Sequence, residues 1–407
     1  MNKFVFVVCG GKEHIEELNF SLDFLRHYSD NEILVITDSK RNETAIEHNH
    51  IIDVETPVQF DNHQASIWLK TGLHKHLESG HHYCYLDGDV VAVSHCVDAI
   101  FAEYHVPVTF ASDHCYMNQF SPHALNCNCL GEQVKAEQEK KKSLNEKLSL
   151  LFGKIDFSDP IIKQQSDDLY YTIDEWKKKP FKYFMKILSY LMQRYVLPID
   201  GFNVKDYRFN KHNKCWYNSE GELILFDYPY YEKELWVKSG IRYNKKNKYW
   251  EDRDGTVYIF NTPECSHLVE YLRSRYNIEI PGTWQHWNGG VFLFGDESHE
   301  FLNFWHQASI DEFDNPFTKT RDQATLAMSV WRFGLQNHPR LPKKFNFITE
   351  FANNDIAHQQ GAAYTFDGFK TVFEPCFLHV YHEWGTLGWS IWDSIIELGK
   401  MQGILKN

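Results

Sequence analysis

The run Phe4-Val5-Phe6-Val7-Val8, ending at Gly10-Gly11, constrains the fold of this chain more than any other stretch. Five apolar residues without polar alternation read as a strand covered on both faces, the profile of a central parallel strand. Such a strand needs helices on both sides, and the pattern that follows supplies them. Ile15, Leu18, Leu22 and Leu25 recur at helical spacing, and Ile33-Leu34-Val35-Ile36 is a second buried strand closed by Thr37-Asp38. Ile51-Ile52-Asp53-Val54 is a shorter third, stopped by Pro57. Ala65, Trp68, Leu69, Leu73 and Leu77 mark a helix that leads into Tyr83-Cys84-Tyr85-Leu86, and Val106 to Ala111 can add one more strand. The expectation is an open α/β sheet covered by helices, with ligands at the carboxyl ends of its strands. Gly10, Asp38 and Asp87 all fall at such ends.

Between the apolar runs Tyr83–Leu86 and Val90–Val93 stands Asp87-Gly88-Asp89. Two carboxylates one residue apart in extended backbone point to the same side, with Gly88 turned away. Poorly solvated, they repel each other, and a divalent cation removes that conflict while offering a site for phosphate oxygens. The plainer reading is a solvated turn whose aspartates cap the next segment. Net charge of −13 argues against a nucleic-acid partner and makes a diphosphate ligand depend on a local cation.

Nine cysteines at scattered spacing do not form a disulfide framework, and Cys9, Cys84 and Cys376 sit in apolar runs as reduced, hydrophobic thiols. His114, Cys115, His123, Cys127 and Cys129 are zinc-type ligands, but their spacing fits no common pattern and reads as fortuitous clustering. The opening apolar run is too short for a signal peptide, and no stretch has the length of a membrane span. A cytoplasmic location is the default expectation.

The character changes in the middle, giving an expected division into residues 1–122, an insertion over 123–279, and 280–407. Gln133 to Leu151 and Phe181 to Tyr195 are helix candidates. Lysines 140–142 and 177–179, with the aromatic helix after Pro180, can meet an anionic membrane surface; a helix packed on the domain with a solvated lysine face is the favoured reading. Arg208–Pro229 and Arg242–Pro263 then align without a gap at an offset of 34, sharing among others Arg208/Arg242, Asn210/Asn244, Trp216/Trp250 and Gly221/Gly255. Each copy reads as two strands around a Gly-bearing turn, an antiparallel β-hairpin whose Trp packs its own hairpin. After Ile280 the α/β pattern returns. Gly289 to Phe294 reads as a strand, residues 301–306 and 322–333 as helices, and Thr371 to His379 as a last strand.

Four motifs in order, Asp87-Gly88-Asp89, Trp287-Asn288-Gly289-Gly290-Val291, Arg321-Asp322-Gln323 and Phe377-Leu378-His379-Val380-Tyr381, resemble those of GT-A fold glycosyltransferases. The nearest likeness is to the retaining family-8 type, which includes glycogenin and bacterial lipopolysaccharide galactosyltransferases. It covers residues 3–115 and 280–395, with 34 residues from Asn288 to Asp322 and 56 from Gln323 to His379. The resemblance implies a GT-A, Rossmann-like nucleotide-diphospho-sugar fold with a mixed sheet, and transfer of a hexose from a UDP-sugar to a saccharide, lipid-linked or protein hydroxyl. It implies that Asp87, Asp89 and His379 hold Mn²⁺ or Mg²⁺, with His382 the competing imidazole. Asn288 would reach the donor sugar beside Gly289 and Gly290. Asp322 would bond sugar hydroxyls, and Gln323 would lie near the face where the acceptor arrives. Lys70 stands where the family carries a donor-contacting arginine; Gly10 and Gly11 would admit the nucleotide to the backbone, and Asp38 would meet its base or ribose.

The chain departs from that pattern in two places. The family's Lys-Pro-Trp after the metal-binding histidine is replaced by Glu383-Trp384-Gly385, leaving Lys70 or Arg321 as the phosphate cation. Cys9-Gly10-Gly11-Lys12 lacks an acidic uracil contact, so UDP is assigned by analogy. If the reaction inverts, Asp322 becomes the natural general base. Two rival classes stand beside this one. A sugar-nucleotide pyrophosphorylase would need a longer basic glycine loop after the first strand, and a non-catalytic glycan-binding protein would use the hairpins.

Overall fold

The computed structural model describes residues 1–131, 159–226, 242–244, 249–251, 257–258, 264–319, 321–349, 357–358, 364–366, 371–381 and 384–405. The helix expected over 133–151 lies outside them. The chain divides into two compact units, Met1–Leu130 with Pro263–Asn407, and Gly131–Thr262.

The larger unit is mixed α/β. Its strands are β1 (Asn2–Val7), β2 (Glu32–Thr37), β3 (Ile51–Asp53), β4 (His82–Leu86), β5 (Val90–Ala92), β6 (Val108–Tyr116), β7 (Gln285–Phe294), β8 (Phe347–Ile348) and β9 (Phe377–His379). Its main helices are α1 (Lys12–Tyr28), α2 (Asn62–Gly72), α3 (Met117–Ala124), α4 (His267–Tyr276), α5 (His299–Asp311), α6 (Arg321–Arg332) and α7 (Ser390–Met401). Six strands form one sheet in the order β3-β2-β1-β4-β7-β6. β1, β2, β3 and β4 run parallel, and β7 runs antiparallel to both β4 and β6. Adjacent residues of β1 go to opposite faces, as period 2 requires: Phe4 and Phe6 join the core with α1 and α7, Val5 and Val7 the core with α2, α5 and α6. A second small sheet, β8-β9-β5, packs on the first of these faces.

Long-range pairing sets three further features, two of which differ from expectation. Thr371 to His379 is two strands: Thr371–Phe373 belongs to a separate antiparallel sheet with Ala357–His358 and Tyr364–Phe366, while β9 pairs with β5 and β8. The Asn-Gly-Gly segment lies inside β7, at a bulge where the register against β6 slips between Asn288 and Phe292. Cys376, expected as a free thiol, is joined to Cys96 in a disulfide with Cα atoms 5.5 Å apart.

In the smaller unit, Gly201–Val204, Tyr207–Asn210, Cys215–Tyr217 and Leu223–Phe226 form an antiparallel sheet. Each repeat is three strands rather than two. Arg208 faces Tyr217 and Phe209 faces Trp216, and the second copy repeats that register with Arg242 on Glu251 and Tyr243 on Trp250. Trp216 is buried against Phe202 and Phe209, which is the packing role expected of it. An unexpected helix, Pro160–Lys178, precedes Phe184–Leu191. No residue of Phe184–Leu191 is fully buried, but the expected helix packs on the core of this unit through Tyr190, whose ring meets Trp176 and Phe202. Among the described residues no helix is long and apolar enough to cross a membrane.

Buried imidazoles in the larger unit set an acid limit. Burial pushes His74 and His286 down to about 4 and His306 to about 3, from an ordinary 6.5. Between pH 6.5 and about 4 the unfolded chain therefore binds more protons than the folded one, and stability falls as pH falls through that window. We expect urea unfolding at pH 4.5 to show a loss of at least about 3 kcal/mol relative to pH 7. A flat profile would mean that these rings protonate without unfolding.

Candidate active site

The site begins where β4 ends. Asp87 N–H donates to the Gly290 carbonyl (2.8 Å), the last rung to β7, and Val90 N–H closes back on the Asp87 carbonyl (3.1 Å). Asp87-Gly88-Asp89 is thus a turn and not the extended segment expected. Its peptide is held by Ser21 of α1, whose Oγ donates to the Gly88 carbonyl at 2.6 Å. The chain then enters β5, which runs antiparallel to β9 with Val90 opposite His379. Val380 N–H donates to the Asp89 carbonyl (3.0 Å). That register carries an imidazole from near the far end of the chain to the two carboxylates.

Asp87, Asp89 and His379 each offer a ligand atom, and these atoms lie within 4.8 Å of one another. Asp89 Oδ1 is 3.3 Å from His379 Nε2, yet this buried oxygen receives no well-directed hydrogen bond. Burial raises the pKa of Asp89, with the nearby imidazole pulling the other way. The His379 tautomer follows from its neighbours. Gly290 N–H donates to Asn288 Oδ1 (2.9 Å), which makes that atom the oxygen; Asn346 Nδ2 donates to the same oxygen (3.0 Å). Asn346 Oδ1 then accepts from His379 Nδ1 (2.8 Å), which turns Nε2 toward the carboxylates.

This donor set fits a divalent cation. Two carboxylates suit Mn²⁺ or Mg²⁺, and an imidazole tilts the preference toward Mn²⁺. The buried Asp89 oxygen lacks a partner that a cation would supply. Gly290 leaves the space: a Cβ there would lie 2.5 Å from His379 Cε1 and 2.9 Å from Asp87 Oδ2.

Lys70 of α2 is buried, with Nζ 3.0 Å from Asp87 Oδ1 and 3.4 Å from Asp322 Oδ2. Burial works against its charge, but the two carboxylates hold its pKa above the ordinary value. Tyr85 also donates its hydroxyl to Asp87 Oδ1. Lys70, expected as a donor contact, thus ties Asp87 to Asp322 within the site. Arg321, the other candidate phosphate cation, begins α6, but its side chain lies outside the described residues, as does His382. Gln323 lies against Gly289, with Oε1 oriented to accept Gly289 N–H (3.2 Å) and Nε2 to donate to the Trp287 carbonyl (3.3 Å).

The outer contacts expected of the nucleotide fare differently. Asp38 is buried and its carboxylate is engaged: Oδ2 accepts from Thr56 N–H (2.8 Å) and Oγ1 (2.6 Å), Oδ1 from Lys40 N–H (3.2 Å), and Arg41 lies 3.3 Å away. Burial opposes ionisation there, but these donors bring its pKa below the usual value. Asp38, expected at the nucleotide base or ribose, thus holds the loop after β2. Gly10 takes a left-handed backbone (φ 101°) and meets Asn62, while Gly11 opens α1 with space around its Cα.

Two residues that sequence reasoning missed hold the site together. Asn288 Nδ2 donates to Asp113 Oδ2 (3.2 Å), so Asp113, Asn288, Asn346 and His379 form one hydrogen-bonded chain. Burial works against the charge on Asp113, but His114 and His286 beside it and Asn288 drive its pKa far below the ordinary value. Beside this chain opens a cleft of about 350 Å³, lined in part by Asp113, His114, Lys343 and Asn346. Replacing Asn346 by Ala frees the imidazole to rotate. We expect Asn346→Ala to bind Mn²⁺ about 10- to 100-fold more weakly by titration calorimetry, with the fold retained. An unchanged Kd would show that the ring needs no such support.

Compared with models of known protein families and with curated proteins, the chain matches none of them.

Proposed function

We propose that this chain is a metal-dependent glycosyltransferase of the GT-A type, which moves a hexose from a nucleotide-diphosphate sugar, UDP-linked by analogy, to a hydroxyl on a saccharide, lipid-linked or protein acceptor. The observation that carries the reading is the meeting of Asp87, Asp89 and His379 at the carboxyl end of β4. A divalent cation held by these three would act as a Lewis acid for the departing nucleoside diphosphate. The chain's own residues prepare the rest. Lys70 fixes Asp87 and Asp322 relative to each other, and Asn346 aims the imidazole. Asn288, within the same network, and Asp322 are the groups we place beside the donor sugar. The cleft lined by Asp113, His114 and Lys343 gives polar donors and acceptors for sugar hydroxyls and is of a size typical of ligand pockets. Leaving group and acceptor can share one face of the sugar, so we propose retention of configuration through an oxocarbenium-like state.

The first-strand loop speaks against a pyrophosphorylase. Gly10 N–H is bonded to Asn42 Oδ1 (3.2 Å) and Lys12 N–H to Glu43 Oε2 (3.0 Å), so two backbone donors that a triphosphate cradle would use are occupied. The deciding experiment is a panel of nucleotide sugars assayed with Mn²⁺, in parallel with pyrophosphate exchange. We expect Mn²⁺-dependent release of the nucleoside diphosphate from one donor, with the product anomer read by NMR. Exchange of pyrophosphate without hexose transfer would replace this reading with the pyrophosphorylase.

A further inference from the structure

The chain leaves the larger unit after Leu130 and rejoins it at Pro263, and four soft ligands stand at these two ends. Cys127 and Cys129 follow α3, while Cys265 and His267 lie at the start of α4. Their ligand atoms all lie within 4.8 Å of one another. Cys127 Sγ is 3.7 Å from Cys265 Sγ, and Cys129 Sγ is 3.3 Å from His267 Nδ1. A tetrahedral zinc ion sets sulfur–sulfur edges of about 3.8 Å and sulfur–nitrogen edges of about 3.5 Å, from its ordinary bond lengths. A disulfide needs sulfurs about 2.05 Å apart, and all three cysteines are free.

The backbone around these ligands is fixed by its own bonds. Asn128, between the two cysteines, takes a left-handed conformation (φ 58°), which asparagine tolerates better than most residues. Asn126 N–H donates to the Phe317 carbonyl (2.8 Å), and Cys265 N–H to the Asn118 carbonyl (3.0 Å). Buried Ser121 accepts the Leu268 N–H at 2.9 Å, and its Oγ lies 3.0 Å from Cys265 Sγ. With a lone pair so used, its hydroxyl proton can point at the sulfur, the support that metal-bound thiolates commonly receive.

We propose that Cys127, Cys129, Cys265 and His267 bind a zinc-class divalent cation in a closed Cys₃His site. Four protein ligands leave no open position, so the ion is structural. It clasps the two ends of the intervening stretch, joining residues 138 apart in sequence. Thiolates select zinc where the carboxylate-rich site at Asp87 and Asp89 selects Mn²⁺ or Mg²⁺, so the two sites differ in the metal they take. The sequence hid this one because half of its ligands lie beyond the intervening unit.

The test begins with the full chain purified without added metal or chelator and analysed by mass spectrometry of its elements. About one zinc per chain is expected, retained in Asp89→Asn and reduced to about one tenth or less in Cys265→Ser and in the double variant Cys127→Ser/Cys129→Ser. Since loss of a structural ion can unfold a variant, the deciding measurement uses the unaltered chain. Replacing the bound metal by Co²⁺ should give intense thiolate-to-cobalt charge transfer in the near ultraviolet and the visible bands of a tetrahedral ion, both erased by added Zn²⁺. A native chain free of zinc and without those bands overturns the proposal, as does a Cys127–Cys265 disulfide in non-reducing peptide mapping. Zinc lost from Asp89→Asn but kept by Cys265→Ser would also overturn it.

Discussion

Asp89→Asn should lower Mn²⁺-dependent turnover of the donor sugar by at least about 100-fold, the scale of removing one preorganised group that meets developing charge. The substitution keeps the shape of the turn after β4 and the Val380 N–H bond, which uses only the residue 89 carbonyl. It should leave the thermal midpoint unchanged or slightly raised, because burial disfavours the ionised Asp89 that it removes. Asp87→Asn differs. It would lose the same activity, but it also takes one of two carboxylates from buried Lys70, at a cost of up to about 3 kcal/mol. Activity loss with an unchanged melt in one variant, and with a lowered melt in the other, separates a ligand from a ligand that also holds the fold. Full activity in Asp89→Asn would remove the metal site from the proposed reaction.

The parts of this molecule that were legible in the sequence are those whose signal is local. β1, β2 and β4 announce themselves because each is buried on both faces, and α1 because its apolar residues repeat at helical spacing. The aspartate pair was legible because apolar runs flank it. What escaped depends on partners far along the chain. Whether Asp87-Gly88-Asp89 is extended or turned is decided by β5 pairing with β9, which no local pattern encodes. Asn346 and Asp113 are single polar residues with no periodic context, and their role exists only through Asn288 and His379. Cys96 and Cys376, 280 residues apart, are a further case. For Asp38, its place at a strand end was legible, but the Thr56 and Arg41 contacts that engage its carboxylate were not.

The glycine pair in β7 offers a sharper test, since its two members have different surroundings. A Cβ at residue 290 would sit 2.5 Å from His379 Cε1 and 2.9 Å from both Asn288 Oδ1 and Asp87 Oδ2. No real Cβ makes such contacts, so a ring, an amide or a carboxylate of the site must move. A Cβ at residue 289 would meet first the end of Gln323, at 3.2 Å, and a side-chain end can yield by a few tenths of an ångström. Neither glycine has the left-handed backbone that would itself forbid alanine. Overpacking of this kind costs about 1–3 kcal/mol. At residue 290 that cost falls on the metal ligands. A misplacement of about 1 Å at a reacting centre can cost about 100-fold in rate. Gly290→Ala is therefore expected to lose about 100-fold or more in Mn²⁺-dependent transfer, whereas Gly289→Ala stays within about tenfold of the native rate. Equal losses in the two variants would mean that the strand, and not the grouping of His379, Asn288 and Asp87 around residue 290, is what both substitutions disturb.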